Sequence, residues 1–268
     1  MIRAITVRAG SSKYTVAAQA HAIRLAQWFH SRLRVVVAWN GKDTGQESEQ
    51  RTGRKPEDIA GPDADELMER ARRAGLCVDE GFRGEGSLEG LLAESRATDL
   101  LVLGFPTERE AESDKFAGHL LHRELPVLRK SECSVLVVRK EPAELKNILV
   151  VYEGGVENKS ALRTAAHIAE KARAGVHILT RKGRREEATI LAAAARKYME
   201  NYCVETVKSI DDVGDGASRS EILRVAGEIR AGLIVLGTEP YGLMKLLFDF
   251  PVAEETVLDS LIPVLVAR

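Results

Sequence analysis

Two parts of this sequence share one plan. Residues 100–104 read LLVLG and residues 134–140 read SVLVVRK; residues 233–237 read LIVLG and residues 263–268 read PVLVAR. A short, continuous apolar run that stops at glycine predicts a buried strand of a parallel sheet, ended where the backbone turns sharply. Between the second pair, FPVAEETVLD (250–259) predicts a helix opened by proline. A glycine at the carboxyl end of a strand, facing a helix N-terminus, is where open α/β sheets place anionic ligands. The arrangement occurs twice, so the chain is expected to be a tandem pair.

The remaining elements repeat in the same order. In the first copy, strands are expected at 2–8 (IRAITVR), 33–39 (LRVVVAW) and 76–82, with helices between them. Val16, Ala20, Ile23 and Trp28 or Phe29 give the first helix an apolar stripe at helical spacing. Residues 40–61 read as a long polar loop, and 62–74 (PDADELMERARRA) as a helix that starts at Pro62 and stops at Gly75. Ser87 is placed to cap the next helix. The stretch 104–130 is polar up to Lys115, and the helical segment FAGHLLHRELPVLRK is expected to be interrupted at Pro126. The second copy begins with ILVVYEGG at Ile148, and Ser218 or Ser220 is expected to cap its third helix. Gly104 and Gly237 are 133 positions apart, Gly84 and Gly214 130, Cys77 and Cys203 126. Each copy therefore reads β-α-β-α-β-α-β-α-β. The expected fold class is α/β: two tandem doubly wound domains, residues 1–140 and 146–268, each a five-stranded parallel sheet with helices on both faces.

Composition narrows the function classes. The 268 residues carry a net charge of -1, so no global field draws the chain to nucleic acid or to a membrane surface, and aromatic residues are only 5%, which leaves few platforms for stacking bases. No apolar run approaches the ~20 residues that span a bilayer, so no membrane insertion is expected. MIRAITVRAG carries no signal-peptide apolar core, and Cys77, Cys133 and Cys203 are odd in number and widely spaced; a cytoplasmic location is expected, with Cys77 and Cys203 as core residues of strands.

With these elements in place, the sequence resembles the universal stress protein family in its tandem form. The resemblance covers nearly the whole chain and rests on ILVVYEGG at Ile148, the GDGAS turn at Gly214 and LIVLG…PVLVAR. It implies the adenine nucleotide alpha hydrolase-like fold. It also implies an ATP site written G-x2-G-x9-G-[ST] between the last two strands, with an acidic residue ending the first strand. In the second copy Gly237 matches the first glycine, Pro240 stands at the second, and Phe250 and Pro251 stand at the third glycine and its hydroxyl; Gly242 lies two residues late. Proline offers no N–H and Phe250 adds bulk where backbone should be bare. Glu153 stands at the acidic position. In the first copy that position falls on Ala9, with Leu121 and His122 at the last glycine and hydroxyl, so no family-type triphosphate site is expected there.

The candidate nucleotide-binding set is therefore Glu153, Gly154, Gly155, Gly214, Gly237, Thr238 and Gly242, all in the second copy. A strand-ending turn is the alternative account of Gly237 and Thr238, and a solvated turn that of Glu153, Gly154 and Gly155. Arg181, Lys182, Arg184 and Arg185 form a basic cluster read either as a solvated face or as a seat for an acidic partner. His119 and His122 are spaced i, i+3, but no metal constellation surrounds them. No catalytic motif is present, and no catalytic residue, metal or firm cofactor is assigned. The expected function is a non-catalytic regulatory or stress-response protein with degenerate nucleotide sites; the alternative is an ATP- or AMP-binding protein, with slow ATPase activity, using the second crevice. The expected partner is the chain's own other half, through the last strand of each copy; a separate protein partner and a homodimer are the further associations considered.

Overall fold

A computed structural model describes residues 2–39, 56–85, 87–154, 158–181, 185–202, 204, 207–212, 218–237 and 251–268. The chain divides into two compact units, Met1–Pro142 and Ala143–Arg268. In unit 1 the elements are β1 (Ala4–Arg8), α1 (Lys13–Phe29), β2 (Arg32–Trp39), α2 (Pro56–Arg73), β3 (Val78–Glu85), α3 (Ser87–Ser95), β4 (Leu100–Gly104), α4 (Glu108–Ser113), α5 (Lys115–Lys130) and β5 (Ser134–Val138). The strands pair in the order β3-β2-β1-β4-β5, all parallel. Helices α1 and α2 form one layer, tied by Arg70 donating to Gln19 at 2.9 Å; α3 and α5 pack together on the other. Unit 2 holds β6 (Asn147–Tyr152), α6 (Asn158–Ala172), β7 (Gly175–Arg181), α7 (Arg185–Met199), β8 (Val207–Asp212), α8 (Arg219–Glu228), β9 (Leu233–Gly237), α9 (Pro251–Asp259) and β10 (Val264–Ala267). Its parallel order is β10-β9-β6-β7-β8, the same doubly wound plan.

The β-branched runs form the central strands because parallel strands covered on both faces are apolar throughout. Val35, Val36 and Val37 are fully buried, as are Ile148, Leu149 and Val150, each contributing about 1.5–3 kcal/mol of burial. Ser12 starts α1, its hydroxyl accepting from the Thr15 N–H at 3.1 Å, and His30 ends it in the left-handed region.

Several expectations fail for identifiable reasons. The core face of α1 is Tyr14, Ala18, Ala22, Leu25 and Phe29; Val16, Ala20 and Ile23 are only half-buried. Both stripes have helical spacing, so periodicity alone does not choose between them. Helix α2 runs through Pro62 and α5 runs through Pro126. Each proline removes one backbone bond, and in α5 the turn beyond it is held by the fully buried Val127 and Leu128. The polar stretch after Gly104 contains α4, started by a capping box in which Thr107 and Glu110 bond reciprocally. Ser218 holds the cap position of α8, but its hydroxyl pairs with that of Ser220 at 2.8 Å and caps no N–H. Cys77 is exposed, one residue before β3, rather than in the core; Cys203 lies outside the described residues. No described helix is long and apolar enough to cross a membrane.

Candidate functional site

The carboxyl edge of the unit 2 sheet brings together three of the seven candidate residues. Strand β6 ends at the buried Tyr152; Glu153 follows, exposed, and Gly154 turns the chain with φ +88°. That conformation favours glycine, and a Cβ at Gly154 would also stand 2.9 Å from Leu191 Cδ2. The Gly154 carbonyl accepts from Asn158 Nδ2 at 2.8 Å, which fixes the entry into α6. Gly237 ends β9 one position beyond the register pair Val151↔Leu236, so it lies beside Tyr152. A Cβ at Gly237 would collide with Asn158 Oδ1 and sit 3.0 Å from Asn158 Cα. Gly237 is thus required by the close approach of the α6 N-terminus, an account that needs no ligand. Gly155, Gly214, Thr238 and Gly242 lie outside the described residues, as do Pro240, Phe250, Lys182 and Arg184.

Near the C-terminal end of α7, Tyr198 and Tyr202 meet hydroxyl to hydroxyl at 3.1 Å, and the His167 ring stands edge-on to Tyr202 at 5.3 Å. Burial, then the Tyr198 hydroxyl, pushes Tyr202 up to about 12; burial, then Tyr198, also raises Tyr152. Both stay protonated at neutral pH, as donors rather than nucleophiles. Glu153 is an exposed carboxylate at the end of β6. His119 and His122 are exposed, and no group of three or more His, Cys, Asp or Glu gathers among the described residues.

The same edge of unit 1 is closed by the protein's own side chains. A Cβ at Gly104 would collide with the backbone carbonyl oxygen of Tyr14, so the first turn of α1 rests directly on the end of β4. Arg8, the last residue of β1, meets Glu124 of α5 at 3.3 Å, and Arg123 meets the same carboxylate oxygen at 3.4 Å. Arg8 also donates to the Thr15 hydroxyl at 3.4 Å. The Glu124 side chain is 3% exposed and that of Arg8 13%. Burial and the neighbouring Arg8 charge push Arg123 down to about 10, against the opposing pull of Glu124. A small cavity lined by Arg8, Thr15, Val102, Gly104 and Glu124 is what remains of the crevice. Beyond Gly104 the N-terminus of α4 is also occupied. The Glu110 carboxylate accepts from the Thr107 N–H at 2.9 Å and its hydroxyl at 3.0 Å, the position of an anion at a helix start. Burial pushes Glu110 up, but those donors and Lys13 outweigh it and hold the group below the usual carboxylate range. Arg139 donates to the Pro106 carbonyl at 3.2 Å and lies over the Phe105 ring.

Strand register aligns the two copies residue by residue. With Gly104 matched to Gly237, Ile5 matches Ile148 and Val7 matches Val150. The counterpart of Glu153 is then Gly10, not Ala9 as expected from the sequence; neither is acidic. Matching Val135 to Val264 places Val151, Val252 and Ala253 where unit 1 has Arg8, Arg123 and Glu124. The buried charge cluster therefore belongs to unit 1 alone. Sequence reasoning missed it, although Arg8 carries a signal: a charge at the end of a strand that both faces of the sheet must cover requires a buried partner.

Comparison with known proteins bears on both units. Residues 144–268 match the model of the universal stress protein family. No curated protein matches the chain. Among solved structures, a universal stress protein from Archaeoglobus fulgidus DSM 4304 is similar over 99% of this chain and 96% of its own, with TM-score 0.73 and 16% identity. A putative universal stress protein from Pseudomonas aeruginosa UCBPP-PA14 is similar over 99% and 93%, with TM-score 0.67 and 20% identity. A functionally unknown protein from Pseudomonas aeruginosa PAO1 is similar over 99% and 92%, with TM-score 0.65 and 18% identity. At these identities the likeness shows the fold.

Proposed function

We propose, from the match of residues 144–268 to the universal stress protein family and the recurrence of the same fold in the first unit, that the chain is a non-catalytic regulatory protein whose first nucleotide crevice is lost. The observation that carries this reading is the Arg8–Glu124–Arg123 cluster around the buried Glu124, which occupies the end of β1 in unit 1 where unit 2 has Val151, Val252 and Ala253. A ligand entering unit 1 would have to break those ion pairs and displace Glu110 from its helix terminus. Such a protein acts through contacts with other proteins, in the cytoplasm, in a stress response.

A second reading concerns unit 2 alone. Glu153, Gly154 and Gly237 share one sheet edge, which favours an adenine nucleotide, ATP or AMP, in that crevice. Calorimetry and thermal shift with ATP, ADP and AMP plus Mg²⁺ separate the readings, because a ligand of the native state raises Tm by mass action. We expect at most one nucleotide bound per chain and no phosphate release above the protein-free blank. Two nucleotides per chain, or turnover, would overturn the proposal. One nucleotide bound without turnover would select the second reading for unit 2.

We also propose that the chain's two halves pair through their last strands, so that it resembles a dimer within one polypeptide. Support comes from the edge positions of β5 and β10, since an edge strand's free N–H and C=O groups seek a partner. Hydrogen exchange tests it. Amides of 134–138 and 264–267 should be protected to the level of the central strands β1 and β6; exchange at the rate of an open edge would end the idea.

A further inference from the structure

We propose that residues 140–146 are ordered in spite of a linker's composition, 140–142 held on unit 1 and 145–146 on unit 2, each through the backbone. Their sequence, KEPAELK, has the composition of an exposed linker, and the side chains of Lys140, Glu141, Ala143, Glu144 and Lys146 are exposed. The backbone is nevertheless claimed at both ends. In unit 1 the Lys140 carbonyl accepts from His21 Nε2 at 3.1 Å, and the Pro142 carbonyl accepts from Arg24 at 3.1 Å. His21 and Arg24 are three residues apart on α1, so one helix face carries both donors. Arg24 also lies over the Trp28 ring at 5.9 Å, which limits the freedom of its guanidinium. Burial, with the Arg24 charge beside it, pushes His21 down to about 4, so at neutral pH the ring is uncharged and its Nε2 carries the donated proton.

In unit 2 the other end is seated as closely. A Cβ at Gly232 would lie 2.8 Å from Leu145 Cδ1 and 3.7 Å from Leu145 Cα, so the chain runs directly over that glycine. The carbonyls of Lys146 and Asn147 then accept from the N–H groups of Gly175 and Gly232 at 2.8 Å each. Helix α1 thereby serves two places. Its first turn, through Tyr14 and Thr15, closes the unit 1 crevice, and two turns later His21 and Arg24 hold residues 140–142.

Backbone relaxation by NMR on the full chain tests this. The amides of Glu141, Ala143 and Glu144 should have order parameters near those of the helices, about 0.85. In the double variant His21→Ala, Arg24→Ala they should fall below about 0.6. Trypsin cleavage after Lys140 and Lys146 should speed up on the order of tenfold, the factor expected when two ordinary hydrogen bonds are lost. The pair His21→Gln, Arg24→Lys keeps a donor at each position and should behave as wild type. Order parameters below about 0.6 in the wild type would overturn the proposal, and so would a folded double variant with wild-type values. Should the double variant fail to fold, the wild-type values and the donor-keeping pair decide.

Discussion

Replacing Glu124 by alanine is expected to destabilise unit 1 by about 3 kcal/mol, the low end for removing one partner of a buried ion pair, because Arg8 and Arg123 are part-buried. Arg8 and Arg123 share that one carboxylate oxygen, and the Glu124 side chain is 3% exposed, so water cannot take its place cheaply. The triple variant Arg8→Val, Arg123→Val, Glu124→Ala installs the residues that unit 2 carries at the matching positions. It should return to within about 2 kcal/mol of wild type, because exchanging a whole buried charge group for apolar side chains is near neutral. Urea unfolding midpoints of the three proteins decide the matter. A single variant within 1 kcal/mol of wild type, or a triple variant as damaged as the single one, would show that the cluster is not a structural unit.

The second large effect concerns the two strand-ending glycines. Gly104→Ala is expected to cost about 3 kcal/mol, since the new methyl collides with a backbone carbonyl of α1 and neither element can yield alone. Gly237→Ala should cost about half as much. Its methyl meets chiefly the Asn158 side chain, which can rotate away, although Asn158 Cα remains 3.0 Å distant. Adding Asn158→Ala to Gly237→Ala should recover part of the loss, a coupling read from a double-mutant cycle. If Gly237 served only a ligand, Gly237→Ala would lower nucleotide affinity and leave the melting temperature unchanged. The cycle therefore measures how much of this glycine belongs to the fold.

Much of the architecture was legible because its signals are local. LLVLG, SVLVVRK and LIVLG become buried parallel strands, and the repeated order of elements gives two doubly wound units. Misreadings arose where a local rule met tertiary packing. Pro126 weakens a helix, yet the burial of Val127 and Leu128 outweighs the missing bond. The T-x-x-E box at Thr107–Glu110 was present in the sequence and marks α4, but the surrounding polarity hid it. Which stripe of α1 faces the sheet depends on what covers it, and single-helix periodicity holds no record of that. The candidate edge was legible in part: Glu153 and Gly154 follow the end of β6, and Gly237 ends the neighbouring β9. What closes unit 1 was not legible, because Arg8 and Glu124 are far apart in sequence and only the register brings them together.

The ion cluster of unit 1 also restricts how the crevice can be altered. Glu124 is the shared partner of both arginines, so any order of single exchanges passes through a state in which Glu124 is lost before an arginine or is left with none. Between the unit 1 set and the unit 2 set, single-residue routes pass through less stable intermediates. Selection for ligand binding that samples one substitution at a time would stall at those intermediates in unit 1. A library that varies Arg8, Arg123 and Glu124 together would not.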